Sequence, residues 1–242
     1  MIDPARLEPL ADDAWPARER AALGGWRLNA ASGHSMRINA CWPLGAPDRD
    51  VDAAIAAAEA WFEARGLPPR FKLTDAAVSP ADLDRRLAVR GYAPTKETVV
   101  MLGPTRGEGS DRVVISTTPD DAFEQVFTAT AGDPEDGRER LETLRRIPAP
   151  ARFARLDIDG APAAIGASAI GGGFAGVFGM RTAPMHRRKG LARLVLRALL
   201  AEASVLGADQ AWLQVEADNA PAIALYADEG FAPAYRYRYW AR

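Results

Sequence analysis

Arg187, Arg188 and Lys189 stand directly in front of Gly190, and a regular apolar pattern begins with the next residue. Leu191, Leu194, Val195, Ala198 and Leu199 fall at i, i+3, i+4, i+7 and i+8, which is one face of a helix. A helix start presents N–H groups that lack acceptors, together with the positive end of the helix dipole, and a glycine there lets an anion approach the main chain. With Arg187, Arg188, Lys189 and Arg193 around it, this turn has the composition of an anion cradle; a solvated helix end with ordinary surface charges would use the same letters. A P-loop is excluded, because it needs its lysine after the glycine and Lys189 comes before Gly190. Gly171, Gly173 and Gly176 fit G-x-G-x-x-G, but residues 177–182, VFGMRT, read as a strand where a dinucleotide site needs a helix. That match reads as a glycine-rich hairpin.

A second helical pattern opens at Asn219, with Ile223 and Tyr226 at i+4 and i+7 on the same face. A capping asparagine and a core tyrosine fit these letters as well as two site residues do. The C-terminal YRYRYW, residues 235–240, reads as a last strand with tyrosines on one face and arginines on the other. A stacking surface for single-stranded nucleic acid would want a broad basic patch, and a formal net charge of -2 gives none. His34 and His186 have no acidic or nucleophilic partner nearby in sequence and read as structural or solvated. Cys41 has no second cysteine to pair with, and no cysteine and histidine cluster offers zinc ligands, so no metal is expected and a reducing cytoplasm is the natural home.

The elements that must position these residues follow from periodicity. At 242 residues, with 48% apolar and 26% charged residues, the chain has the makings of one and a half to two units with a sizeable core. The first fifteen residues hold no apolar run of signal-peptide length, and the uncharged stretch 161–180 is too rich in glycine and alanine to span a bilayer, so no membrane partner is expected. Strands are predicted at 113–116, 151–158 and 162–170, then, after a glycine-rich turn, through Met180, and at 211–216 and 235–240. Helices are predicted at 120–131 and 134–146, from Leu191 to a stop at Gly207, and at 219–229. The alternation implies a mixed α/β fold with a partly antiparallel sheet.

The first hundred residues repeat part of that order: strands at 25–31 and 36–42, a helix at 50–65, a strand at 70–74, a helix at 80–90 and a strand at 97–102. Gly91-Tyr92-Ala93-Pro94 answers Gly230-Phe231-Ala232-Pro233, so an internal repeat is expected. The division is then 1–103 for the first unit, 104–111 for a linker rich in glycine and charge, and 112–242 for the second unit. In the first copy Leu87 and Pro80 stand against Tyr226 and Asn219, and Asp48 and Asp50 stand where the second copy has arginines. Carboxylates there repel an anion. Trp26, His34, Arg37 and Trp42 are candidates for the wall of a cleft between the units, with core packing the competing role for the tryptophans.

Met180 to Ala192, followed by Asn219 to Phe231, resembles the GNAT superfamily of acetyl-CoA-dependent N-acyltransferases. There a strand leads into [QR]-x-x-G-x-[GA], here Arg187-Arg188-Lys189-Gly190-Leu191-Ala192. Downstream comes an Asn, a Tyr seven residues later and Gly-Phe, here Asn219, Tyr226, Gly230 and Phe231. The resemblance implies a GNAT-like fold in 112–242, a partial and degenerate copy in 1–103, and acetyl-CoA as co-substrate. It implies that the main chain of Met180, Arg181 and Thr182 pairs with the pantetheine arm. The amides of Arg188, Lys189, Gly190, Leu191, Ala192 and Arg193, with Arg187 beside them, would hold the pyrophosphate, and Asn219 would touch the coenzyme. Tyr226 would be the proton donor to the departing sulfur.

Many relatives carry a glutamate five residues before the Asn, and here that position is Gln214. Glu216, two residues on and on the same strand face, is the alternative base acting through a water, or a strand-end carboxylate in an ion pair. The expected activity is acetyl transfer to a primary amine on a small molecule or a peptide. The competing reading is a non-catalytic acyl-CoA-binding or sensor protein.

Overall fold

Asp3 caps the first helix, α1 (Pro4–Ala14), by accepting from the Ala5 amide at 2.9 Å. The computed structural model describes residues 2–242, and α1 is one of two elements there that the sequence pattern does not disclose. Its inward side includes buried Glu8 and Asp12 beside Leu7 and Ala11, so polar letters break the apolar period. The other is β1 (Glu19–Leu23), a mostly exposed edge strand with no apolar alternation. The remaining elements of the first half are β2 (Trp26–Ala30), β3 (Ala40–Pro43), α2 (Val51–Glu63), β4 (Phe71–Thr74), α3 (Leu83–Val89) and β5 (Ala93–Pro104).

The strand expected at 36–42 is shortened to β3. Met36–Ile38 is instead a 3-10 turn, because Asn39 Oδ1 accepts from the Ala31 and Gly33 amides at 2.8 and 3.1 Å. Such side-chain bonds to the main chain compete with a strand ladder.

The second half runs β6 (Val113–Ser116), α4 (Asp121–Ala129), α5 (Pro134–Arg145), β7 (Ala151–Ile158), β8 (Ala161–Gly171), β9 (Phe174–Thr182), α6 (Leu191–Val205), β10 (Gln210–Glu216), α7 (Ala220–Asp228) and β11 (Ala232–Ala241). This is the order expected from periodicity, with ends shifted by a few residues.

All eleven strands form one sheet, in the order β1-β2-β3-β4-β11-β5-β10-β9-β8-β7-β6. The closing strands of the two halves interleave: β5 lies between β10 and β11, and β11 lies between β5 and β4. Each half thereby covers an edge that the other would leave open. Residues 105–112 carry no helix or strand, yet they pack closely on α6. The Thr105 hydroxyl donates to the Ala208 carbonyl at 2.7 Å, and a Cβ on Gly107 would collide with the Arg197 carbonyl.

On one face of the sheet α1, α4 and α5 close over an aromatic core that includes Trp15, Trp42, Phe127, Trp212 and the three tyrosines of β11. On the other face α6 packs on the second half and α2 with α3 on the first. Each fully buried Leu or Val of α6 contributes roughly 2 kcal/mol of transfer free energy. Trp26 and Trp42 are 0% and 1% exposed and do not wall a cleft. The Trp26 indole donates to the Ser79 carbonyl at 2.8 Å and that of Trp42 to the Arg37 carbonyl at 3.2 Å. Cys41 is buried as a small hydrophobe, and burial pushes its thiol up. In β11 the tyrosines face inward, while Arg236 and Arg238 lie outside, both paired with Glu97.

Candidate active site

The parallel pairing of β9 with β10 runs from Phe174 and Gln210 to Val177 and Leu213, then stops. β9 continues to Thr182, held by β8 on one side, with Arg181 opposite Ile165 and Thr182 opposite Ala164. Within this stretch the register breaks, so that Gly179 and Met180 face Gly166 alone. Gly179 takes a φ of +58°, which a glycine accepts without the cost of a Cβ. The main chain of Met180, Arg181 and Thr182 is left with an open side toward β10, the geometry to which an extended ligand adds as a strand.

The chain then makes the turn Pro184–His186 and enters α6 through two residues with positive φ, Arg188 at +63° and Gly190 at +76°. Gly190 is the N-cap and supplies no side chain to satisfy the helix start. The His186 and Arg187 amides bond back to the Ala183 and Pro184 carbonyls, and the Arg193 amide bonds to Gly190 at 3.1 Å. Between them, the amides of Arg188, Lys189, Gly190, Leu191 and Ala192 have no acceptor among the described residues. Arg187 folds back so that Nε donates to the Thr182 carbonyl at 3.3 Å. Arg188 and Lys189 are exposed. Arg193, grouped with them from sequence, is occupied within the protein: its guanidinium lies 2.8 Å from Asp228 and 3.0 Å from Glu229.

Asn219 is the N-cap of α7, its Oδ1 accepting from the Ala222 amide at 3.2 Å, which leaves its NH2 group free of the cap. Tyr226 is 8% exposed and packs in one apolar cluster with Leu191, Leu213, Val215 and, at its margin, Met180. Its ring leans on Phe231 with centroids 6.2 Å apart. Burial pushes the phenol up to about 12. The structure therefore gathers the end of β9, the start of α6 and the Tyr226 ring on the α6 face of the sheet.

Gln214 and Glu216 lie on the opposite face of β10, following Trp212 by strand alternation. Glu216 is exposed at the strand end, 3.4 Å from Lys96. Gln214 Oε1 accepts from the Tyr237 hydroxyl at 3.0 Å, while its Nε2 is buried without a partner. Burial alone would raise the Tyr237 phenol, but the adjacent Arg37 and Lys72 charges outweigh it and hold it below the usual value. Sequence reasoning missed Tyr237 as a neighbour of Gln214. The inward alternation of β11 was legible, but the strand it would sit beside was not. His186 Nδ1 is buried with no partner, and His34 Nδ1 lies 3.8 Å from Asp133.

Residues 5–240 match the family described as "Probable histone acetyltransferase Rv0428c C-terminal". The chain belongs to this family. It is an enzyme of the GNAT superfamily of N-acetyltransferases, as the motifs at Arg187–Ala192 and Asn219–Phe231 implied. YobR of Bacillus subtilis (strain 168), an uncharacterized N-acetyltransferase, is 27% identical over 254 residues, covering 99% of this chain and 98% of that protein. The GCN5-related N-acetyltransferase from Kribbella flavida shares the fold with a TM-score of 0.73 at 20% identity, covering 100% of this chain and 96% of that one. A tandem GNAT protein from the clavulanic acid biosynthesis pathway does so at 0.61 and 16% identity, covering 81% and 71%. In this GNAT chain the mixed sheet expected from sequence is thus the family's fold.

Proposed function

We propose that this GNAT enzyme moves an acetyl group from acetyl-CoA to a primary amine of a small molecule or peptide, by direct attack in a ternary complex. The observation that carries the reading is the run of five unpaired amides from Arg188 to Ala192 beside the open edge of β9. Main-chain donors at a helix start suit a pyrophosphate, and an unpaired strand edge suits the amides of a pantetheine arm. Acetyl-CoA supplies the reactive thioester. The charges of Arg187, Arg188 and Lys189 stand around the amides as counter-ions, and the free NH2 of Asn219 is available to the same ligand. Arg193 holds α7 against α6 and adds its field from there.

In the transfer a C–N bond forms, the C–S bond breaks, the amine loses one proton, and the sulfur leaves as a thiolate that takes one from solvent water. Tyr226 donates a hydrogen bond to the departing sulfur. Complete transfer from a phenol held near 12 to a thiol of about 8.5 is uphill by roughly 5 kcal/mol, so the hydrogen bond rather than the proton is what Tyr226 gives. Glu216, at the open end of β10, takes the amine proton through a water. Residues 1–103 form a degenerate copy without a coenzyme site, joined through 104–111 to the catalytic unit 112–242. Its helix start is filled by Asp50, whose carboxylate accepts from the Asp52 amide at 2.9 Å. The reaction suits a reducing cytoplasm.

A second reading, a non-catalytic acyl-CoA sensor, is favoured by Gln214 standing where related enzymes carry a glutamate. Calorimetry with coenzyme A and thiol release over an amine panel separate the two. Both readings expect binding, but only the enzyme releases thiol, and Glu216→Gln should lower that rate at least about tenfold. Absence of coenzyme A binding removes both.

A further inference from the structure

The face of the sheet that carries Gln214 is rich in donors and short of acceptors. Arg181 reaches from β9 over the Phe127 ring, 5.2 Å from its centroid, and the one hydrogen bond of its side chain among the described residues is a long one of 3.5 Å to the Thr130 carbonyl. Burial, then the charge of Arg140, hold its guanidinium below the usual value, and the nearby Asp136 offsets this only in part. Arg37, on the turn before β3, faces the hydroxyls of Tyr237 and Tyr239 and the Trp15 ring, and makes no ion pair among the described residues. The Trp15 ring under Arg37 leans on Phe178 of β9 with centroids 5.1 Å apart, three residues before Arg181, which ties the two sides of this region together.

Several other partly buried arginines have carboxylates, as Arg27 has Asp12, Arg152 has Glu202 and Arg155 has Asp120, while Arg70 makes no ion pair among the described residues and donates to the Gly33 carbonyl at 3.0 Å. The acidic groups of this face are already taken. Glu139 accepts from the Ser32 and Ser35 amides, each at 2.5 Å, and from Asn39 at 3.0 Å. Asp136 holds Arg140 at 2.7 Å, and Glu8 holds Lys72 and the Tyr235 hydroxyl. Gln214 Nε2 is a further buried donor without a partner, beside the unpartnered Thr74 hydroxyl and Asn29 Oδ1 on the same face.

We propose that the amine acceptor carries a carboxylate, bound by Arg37 and Arg181 on the face of the sheet that opens between β9 and β10. A planar guanidinium matches a carboxylate in charge and in the spacing of its two donors, and two of them select it over a neutral amide. The inference rests on the acetyl-transfer reading and names the acceptor's chemical class. The carboxylate can belong to a free amino acid or to a peptide, and matched substrates tell these apart.

Thiol release from acetyl-CoA is measured with pairs that differ only in charge: free amino acids against their carboxamides, and peptides with aspartate against the same peptides with asparagine. At least one class of pair should favour the carboxylate member by about tenfold or more in kcat/KM. Arg37→Gln should raise KM for that member and shrink the ratio at least about fivefold, Arg37→Lys should restore part of it, and Arg181→Gln should shrink it too. Coenzyme A affinity of Arg37→Gln, measured by calorimetry, should equal that of the wild type and reports that the variant is folded. Equal kcat/KM within every pair of the wild type, which needs no variant, overturns the proposal, as does a ratio that survives both substitutions. Coenzyme A binding with no turnover of any carboxylate-bearing amine also overturns it while leaving the coenzyme site standing; failure of coenzyme A to bind removes the acetyl-CoA reading as well.

Discussion

Tyr237 on β11 donates a hydrogen bond to Gln214 on β10 across 3.0 Å, reaching over β5, which lies between the two strands. This bond ties the last strand of the chain to the strand that ends at the candidate active site. Lys72 from the first half sits 4.0 Å from the Tyr237 ring centroid, so the contact also joins the halves. Tyr237→Phe leaves neither end of the half-buried Gln214 amide bonded. Stability should fall by about 1–3 kcal/mol, the cost of an unsatisfied buried polar group, and a urea midpoint measurement checks it.

On the proposed role of Tyr226, Tyr226→Phe should lower turnover at least about tenfold, because the departing sulfur would lose its donor. The raised phenol sets the sign of the pH dependence. Held up to about 12, Tyr226 stays protonated and able to donate across the working range, so the wild-type rate should show no alkaline loss from this group up to about pH 10. Its stabilising contribution is intact below the ordinary value near 10 and is lost as pH rises through 12. A rate profile of both proteins between pH 6 and pH 10 decides it, and unchanged turnover in the variant removes the assignment.

Gly190→Ala tests the helix start. Nothing lies within 4 Å of a Cβ built there, so no collision follows, but a φ of +76° costs an alanine about 1–2 kcal/mol. The added methyl also stands among the five free amides. Coenzyme A affinity should drop at least about tenfold by calorimetry, with a fall in the denaturation midpoint of the size set by the strain.

Asp50→Ala makes the opposite test in the first half. The substitution removes the cap of α2 and should cost about 0.5–2 kcal/mol in thermal or urea unfolding. Coenzyme A affinity should not change. A measurable loss of affinity would mean that the first half holds coenzyme after all.

The amino-acid sequence by itself determined what depends on neighbours along the chain. The apolar period after Gly190, the glycine that opens the helix, the alternation of β7 to β9 and the cap at Asn219 are local, and a helix start with bare amides follows wherever these letters occur. Tertiary structure decided what depends on partners far away. Helix α1 is buried with Glu8 and Asp12 inward because Lys72, Tyr235, Arg27 and Asn29 meet them there, and no local pattern announces a buried carboxylate. The interleaving of β5 with β11 was equally invisible, since strand alternation says which side faces inward but not which strand lies alongside. The meeting of Arg37 with Tyr239, and of Gln214 with Tyr237, came only when that strand order put residues from both halves on one face.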